Sequence, residues 1–136
     1  MAKITLGGNE TNTNGTLPSV GTTLNNYTFV KNDMVRNFNK EAANLDDTAV
    51  LCISKDLPFA LNRFCGAEGI ENVTVASDFK VPQFAEDMGL KIVDGAFEGL
   101  DSRVIIVLDK KGNVIYTEQV PEVGQEPDYE AALAAI

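Results

Sequence analysis

The sequence contains no histidine and no tryptophan. Without an imidazole, histidine-based general-base catalysis and histidine-ligated metal sites are excluded, and neither a metal nor a cofactor is expected. No apolar stretch approaches the roughly 20 residues that cross a bilayer. The opening Met1-Ala2-Lys3-Ile4-Thr5 runs into polar sequence and not into the apolar core of a secretory signal, so a cytoplasmic location is expected. Positive charge is scarce. The 11 Lys and Arg residues stand against 20 Asp and Glu, for a net charge of −9, and that balance repels nucleic-acid backbones and anionic membranes alike. Small neutral substrates and proteins remain as partners. Cysteine is limited to Cys52 and Cys65; in a reducing cytosol such a pair is more often buried filler or redox machinery than a structural staple.

What is present suits a folded domain. Hydrophobic residues make up 44% and charged residues 23% of 136, far from the disordered class and enough for one core, so residues 1–136 are expected to form a single domain. Lys3-Ile4-Thr5-Leu6 reads as β, and the Gly/Asn/Thr-rich stretch around Asn14-Gly15 suggests a tight turn, giving an N-terminal hairpin over residues 1–18. Tyr27 to Val30 reads as a strand. Val35, Phe38, Ala42 and Leu45 then recur at helical spacing. Thr48 to Ser54 is an apolar, β-branched run of the kind covered on both faces in a parallel sheet. Pro58 suits the first turn of a helix reaching Cys65 and ending near Gly66. A strand at Val73–Ala76, a helix from Pro82 to Met88 and a Gly-rich loop from Asp94 to Gly99 follow. Arg103–Leu108 and Val114–Tyr116 flank Lys110-Lys111-Gly112-Asn113 as a hairpin, and Asp128–Ile136 closes the chain as an amphipathic helix. The order βαβαβα, hairpin, helix predicts an α/β sandwich whose second half has the thioredoxin pattern.

Val50-Leu51-Cys52-Ile53-Ser54-Lys55-Asp56-Leu57-Pro58-Phe59-Ala60, continuing as Arg63-Phe64-Cys65-Gly66-Ala67-Glu68-Gly69, resembles the segment around the resolving cysteine of the thiol peroxidases, peroxiredoxins of the thioredoxin-fold superfamily. Asp94-Gly95, Gly99-Leu100, Arg103 to Asp109 and Glu126 to Leu133 are similar to the same family. The resemblance implies a thioredoxin-like α/β sandwich and a homodimer. It also implies an enzyme that reduces hydrogen peroxide and alkyl hydroperoxides with thioredoxin as reductant. In that chemistry a peroxidatic thiolate is oxidised to a sulfenic acid, and a resolving cysteine converts it to a disulfide. By this resemblance Cys65 is the resolving cysteine, and Arg103 is the fixed cation that stabilises the peroxidatic thiolate and the peroxide.

The family's Pro-Ser-x-Asp-Thr-x-x-Cys motif, with its peroxidatic cysteine, should precede the helix beginning at Val35. Instead Val30-Lys31-Asn32-Asp33-Met34 passes straight into that helix, skipping about thirty residues, the size of one supersecondary unit, and with them one central strand. Neither remaining cysteine replaces the lost one. Cys52, mid-strand among Val, Leu and Ile, should be buried and inert with a raised thiol pKa. Cys65, near a helix end beside Gly66 and Gly69, sits where local unwinding could expose it, and should react faster than Cys52. A strand interior and a separate helix end rarely meet disulfide geometry, so the two are not expected to pair readily. Arg36 reads equally well as a solvated helix charge. Three functions stay open: a thiol peroxidase, a non-catalytic remnant retaining a dimer or partner surface, and a one-cysteine redox module acting through Cys65.

Overall fold

The computed structural model describes residues 1–24, 30–31, 47–69 and 72–136. In chain order these carry β1 (Lys3–Leu6), β2 (Asn9–Asn12), β3 (Val30–Lys31), β4 (Leu51–Ser54), α1 (Pro58–Glu68), β5 (Thr74–Ser77), α2 (Pro82–Asp87), β6 (Val104–Leu108), β7 (Val114–Gln119) and α3 (Tyr129–Ala134). The expected helix at Val35–Leu45, and Arg36 with it, lie outside the described residues, as does the strand at Tyr27 apart from Val30. The chain is mixed α/β and divides into two compact units, Met1–Asn26 with Gln83–Ile136, and Tyr27–Pro82.

In the first unit β1 and β2 form an antiparallel hairpin with Ile4 opposite Thr11. Its turn is Gly7-Gly8, not Asn14-Gly15. Both glycines hold positive φ, at 56° and 82°, which a side chain would oppose. Glu122 fixes this turn, because its carboxylate accepts hydrogen bonds from the N–H groups of Gly7 and Gly8 and from the Thr5 hydroxyl. Asn14 is used elsewhere: its amide donates to the Glu86 carbonyl, and its Oδ1 accepts from the Lys91 N–H. The second hairpin pairs β6 with β7, Ile106 opposite Thr117, with an irregularity at Leu108. The Asp109 carboxylate closes its turn by accepting from the N–H groups of Lys111 and Asn113. Asp128 caps α3 by accepting from the Ala131 N–H at 3.0 Å. Ile92, Val114 and Val120 are buried in this unit.

The second unit is a three-stranded sheet in the order β3-β5-β4. β4 and β5 are parallel, with Cys52 in register with Val75, and α1 is the crossover between them. The parallel pairing matches the sequence reading. The double coverage does not: among the described residues β4 pairs with β5 alone, Leu51 is 49% exposed, and the rest of the strand is only partly buried. β5, between two partners, is the strand that is shut in, with Val75, Ala76 and Ser77 all buried. Short apolar runs read alike whether one or two neighbours flank them, which is why β4 looked central.

Candidate functional site

The chemistry-bearing residues of the second unit gather around the β4-α1-β5 crossover. α1 begins at Pro58, whose missing N–H costs nothing in the first turn. It runs past Gly66 to Glu68 because a glycine tolerated inside a helix need not end it. It stops at Gly69, in left-handed conformation at φ 63°, whose N–H donates to the Cys65 carbonyl. Leu61 and Cys65, four residues apart, share one helical face, and both are buried, Cys65 completely. The predicted position near a helix end therefore comes with no resting exposure. Cys65 is the more buried of the two thiols.

Cys52 is partly buried on β4. Burial, and then the charge of Cys65, push its thiol up to about 11. Both cysteines are free thiols, and Cys52 is only partly buried where the sequence pattern called for a buried strand interior. A thiol raised in this way is a weak nucleophile at neutral pH, because the thiolate is the reactive form.

The helix is weakly held by its own ends. Leu57 at the N-cap supplies no side-chain hydrogen bond, the first turn has no acidic residue and the last no basic one, so the N-terminus has no side-chain cap and the helix dipole is unused, and the backbone cap at Gly69 closes the C-terminal end alone. Its outer face is apolar as well. Leu57, Phe59, Ala60, Phe64 and Ala67 line a shallow groove together with Arg63, and Phe59 is 82% exposed. An ion pair tethers the start of the helix: in the β4-α1 connection the Lys55 ammonium lies 2.6 Å from the carboxylate of Asp78, which is fully buried just beyond β5. The Asp78 N–H also donates to the Ser54 carbonyl at 3.0 Å. Sequence reading passed over this pair. Its signal was a charge closing each strand of one βαβ unit on the same side as the parallel strands end.

Arg103 belongs to the other unit. It precedes β6 and does not open it, is partly exposed, and its carbonyl accepts from the Val120 N–H. Its guanidinium makes no ion pair among the described residues. Among the described residues no cluster of His, Cys, Asp and Glu could hold a metal ion, and no helix is long and apolar enough to cross a membrane.

The family model Redoxin matches residues 19–133. A thiol peroxidase of Corynebacterium glutamicum is 44% identical over 165 residues that take in all of this chain and 99% of the relative. One from Mycobacterium bovis is 46% identical with the same coverage. Among solved structures, a peroxiredoxin-like protein from Aquifex aeolicus superposes with a TM-score of 0.84 at 29% identity, over 98% of this chain and 95% of its own. A thiol peroxidase from Chromobacterium violaceum does so with 0.86 at 18% identity, over 97% and 93%, which shows the fold alone. The fold is thus that of the thioredoxin-like redoxins, with a cysteine stowed on a crossover helix. Within that class the chain belongs to the thiol peroxidase family. Because the alignments run over 165 residues and this chain has 136, at least 29 aligned positions have no residue here. That matches the size of the segment found missing between Asp33 and Val35.

Proposed function

We propose that this chain is a redox module of the thiol peroxidase family that works through Cys65 and does not by itself turn over hydroperoxide. The observation that carries the reading is that neither thiol is presented as an exposed, activated nucleophile: burial raises the Cys52 thiol, and Cys65 is fully buried on the inner face of α1. In relatives with the full-length segment the partners are a hydroperoxide substrate and a thioredoxin-type reductant. Here the thioredoxin exchange is the half that Cys65 supports. When α1 opens, the Cys65 thiolate attacks one sulfur of a partner's disulfide. A mixed disulfide forms, the partner's other sulfur leaves as a thiolate, and its return attack reverses the step with no net oxidant consumed. Arg103 is proposed as the cation that steadies a thiolate and a peroxide oxygen once a peroxidatic cysteine is supplied. A cytoplasmic location and a homodimer complete the reading.

A thioredoxin variant lacking its resolving cysteine, its remaining cysteine carried as a mixed disulfide with thionitrobenzoate, tests it. The expected result is attack by Cys65 with release of thionitrobenzoate, giving a thioredoxin mixed disulfide mapped by mass spectrometry to Cys65 and abolished by Cys65→Ser. Hydroperoxide consumption with thioredoxin and its reductase should stay at the background of free cysteine, and steady turnover at about 1 per second or faster would overturn the proposal. The second reading, a non-catalytic remnant that keeps a dimer surface, is favoured by the exposed apolar outer face of α1. It predicts no trapped adduct and self-association that Phe59→Glu weakens.

A further inference from the structure

Cys65 is fully buried on a helix whose N-terminus contributes little to holding it: no side-chain cap at Leu57, no charge placed to meet the dipole, and an outer face that leaves Leu57, Phe59 and Phe64 in solvent. The tether lies just before it. The segment between β4 and α1 is only Lys55-Asp56-Leu57; the Asp56 carboxylate accepts from the Ser54 hydroxyl on β4, and the Lys55 side chain reaches across to the end of β5. The Lys55 ammonium pairs with the Asp78 carboxylate at 2.6 Å, their side chains 16% and 0% exposed. Asp78 is anchored in turn, because its backbone N–H continues the β4-β5 pairing and its other carboxylate oxygen is buried with no hydrogen-bond partner. A buried carboxylate in that state depends on its one cation, since an uncompensated buried charge is strongly disfavoured. Lys55 is therefore held firmly where the chain turns up into α1. We infer that the Lys55–Asp78 pair is a clasp that keeps α1 closed over Cys65, which makes both residues positioning residues for the thiol chemistry of Cys65. The inference rests on the reading of Cys65 as the working thiol only for its functional meaning; the clasp itself is a statement about exposure.

Native-state alkylation of the full chain with iodoacetamide, read separately for Cys65 and Cys52 by peptide mass spectrometry, tests it. In the parent chain, labelling of Cys65 should change little with low urea, as expected when a local opening exposes little surface, while Cys52, partly exposed at rest, serves as the internal reference. Lys55→Met should raise the Cys65 rate relative to Cys52 by about tenfold or more. Asp78→Asn should move the ratio in the same direction. The two substitutions change the local charge oppositely, so acceleration by both marks opening and not an altered thiolate fraction. Lys55→Arg should keep the slow rate. The proposal is overturned if the ratio stays constant in both variants, whether because both thiols speed up as the unit unfolds or because neither does. Should Lys55→Met fail to fold, Asp78→Asn and the urea dependence of the parent chain decide alone, and Cys65 labelling that rises with urea as steeply as global unfolding sinks the clasp. Failure to trap thioredoxin alongside the expected labelling pattern would remove the proposed function and leave the clasp standing.

Discussion

At the scale of single residues, two positions set conditions that the sequence shows only faintly. Gly89 follows α2 at φ +70°, and a Cβ there would fall 2.1 Å from the Thr16 carbonyl oxygen. That contact is with backbone, which cannot swing aside. Gly89→Ala should therefore cost more than the roughly 1 kcal/mol of a left-handed alanine alone, measurable as a lower urea midpoint, and an unchanged midpoint would show that the segment at Thr16 yields. Glu122 accepts hydrogen bonds from Gly7, Gly8, Gly124 and Thr5, and these hold its carboxyl down from the usual 4.5 to about 2. A depressed carboxylate contributes stability that is complete above the unfolded pKa and is lost as pH falls through the folded one. The β1-β2 turn should thus stay ordered at pH 5 and loosen between about pH 4.5 and 2. In Glu122→Gln that pH dependence should vanish from the amide signals of Gly7 and Gly8. Had the Gly-Gly pair been weighted above Asn14-Gly15, the turn would have been legible; the carboxylate that locks it, over a hundred residues away, was not.

At the scale of elements, sequence pattern located the helices and strands of the described residues to within a few positions, because each has a local cause, except β2, which the turn placed at Asn14-Gly15 hid. Pro58 and Pro82 start helices, Asp128 caps one, and the Asp109-to-Asn113 turn joins β6 to β7. What failed was inference from neighbours that the sequence does not name. Cys65 looked exposable because glycines follow it, but α1 continues three residues beyond, and the face carrying Leu61 and Cys65 is turned inward. Local signals set where a helix runs, whereas burial depends on which face the sheet takes. The same weakness of α1 yields a prediction. Leu57→Asp places an acceptor and a negative charge at the helix start, where such caps are worth about 0.5–2 kcal/mol. It should slow native-state alkylation of Cys65 severalfold without altering that of Cys52, and faster labelling of Cys65 would show that Leu57 holds the helix by contacts that its exposure conceals.

At the scale of the whole molecule, the family was legible because motif segments span nearly all of the chain, and so was the gap, because the missing motif has a defined place. The consequence of the gap lies in the sheets. Among the described residues β4 pairs only with β5, and β6 only with β7. Each presents one unpaired edge, and both are apolar, Leu51-Cys52-Ile53-Ser54 and Val104 to Leu108, without the lysine, proline or inward charge that natural edge strands use against pairing with other chains. Leu51 and Leu108 are 49% and 43% exposed. The relatives' alignments run over at least 29 more positions than this chain has residues. The net charge of −9 opposes self-association at low salt, and salt screens that repulsion over about 10 Å at 0.1 M. The expected behaviour is therefore association that strengthens with ionic strength and protein concentration, seen in sedimentation velocity, with a broad thermal transition. Leu51→Lys, on the exposed end of β4, should reduce the association while leaving the β4-β5 pairing in place, since that position faces solvent already. A monodisperse monomer at both low and high salt, melting in one sharp transition in the range of about 45–65 °C, would mean that both edges are satisfied within one chain.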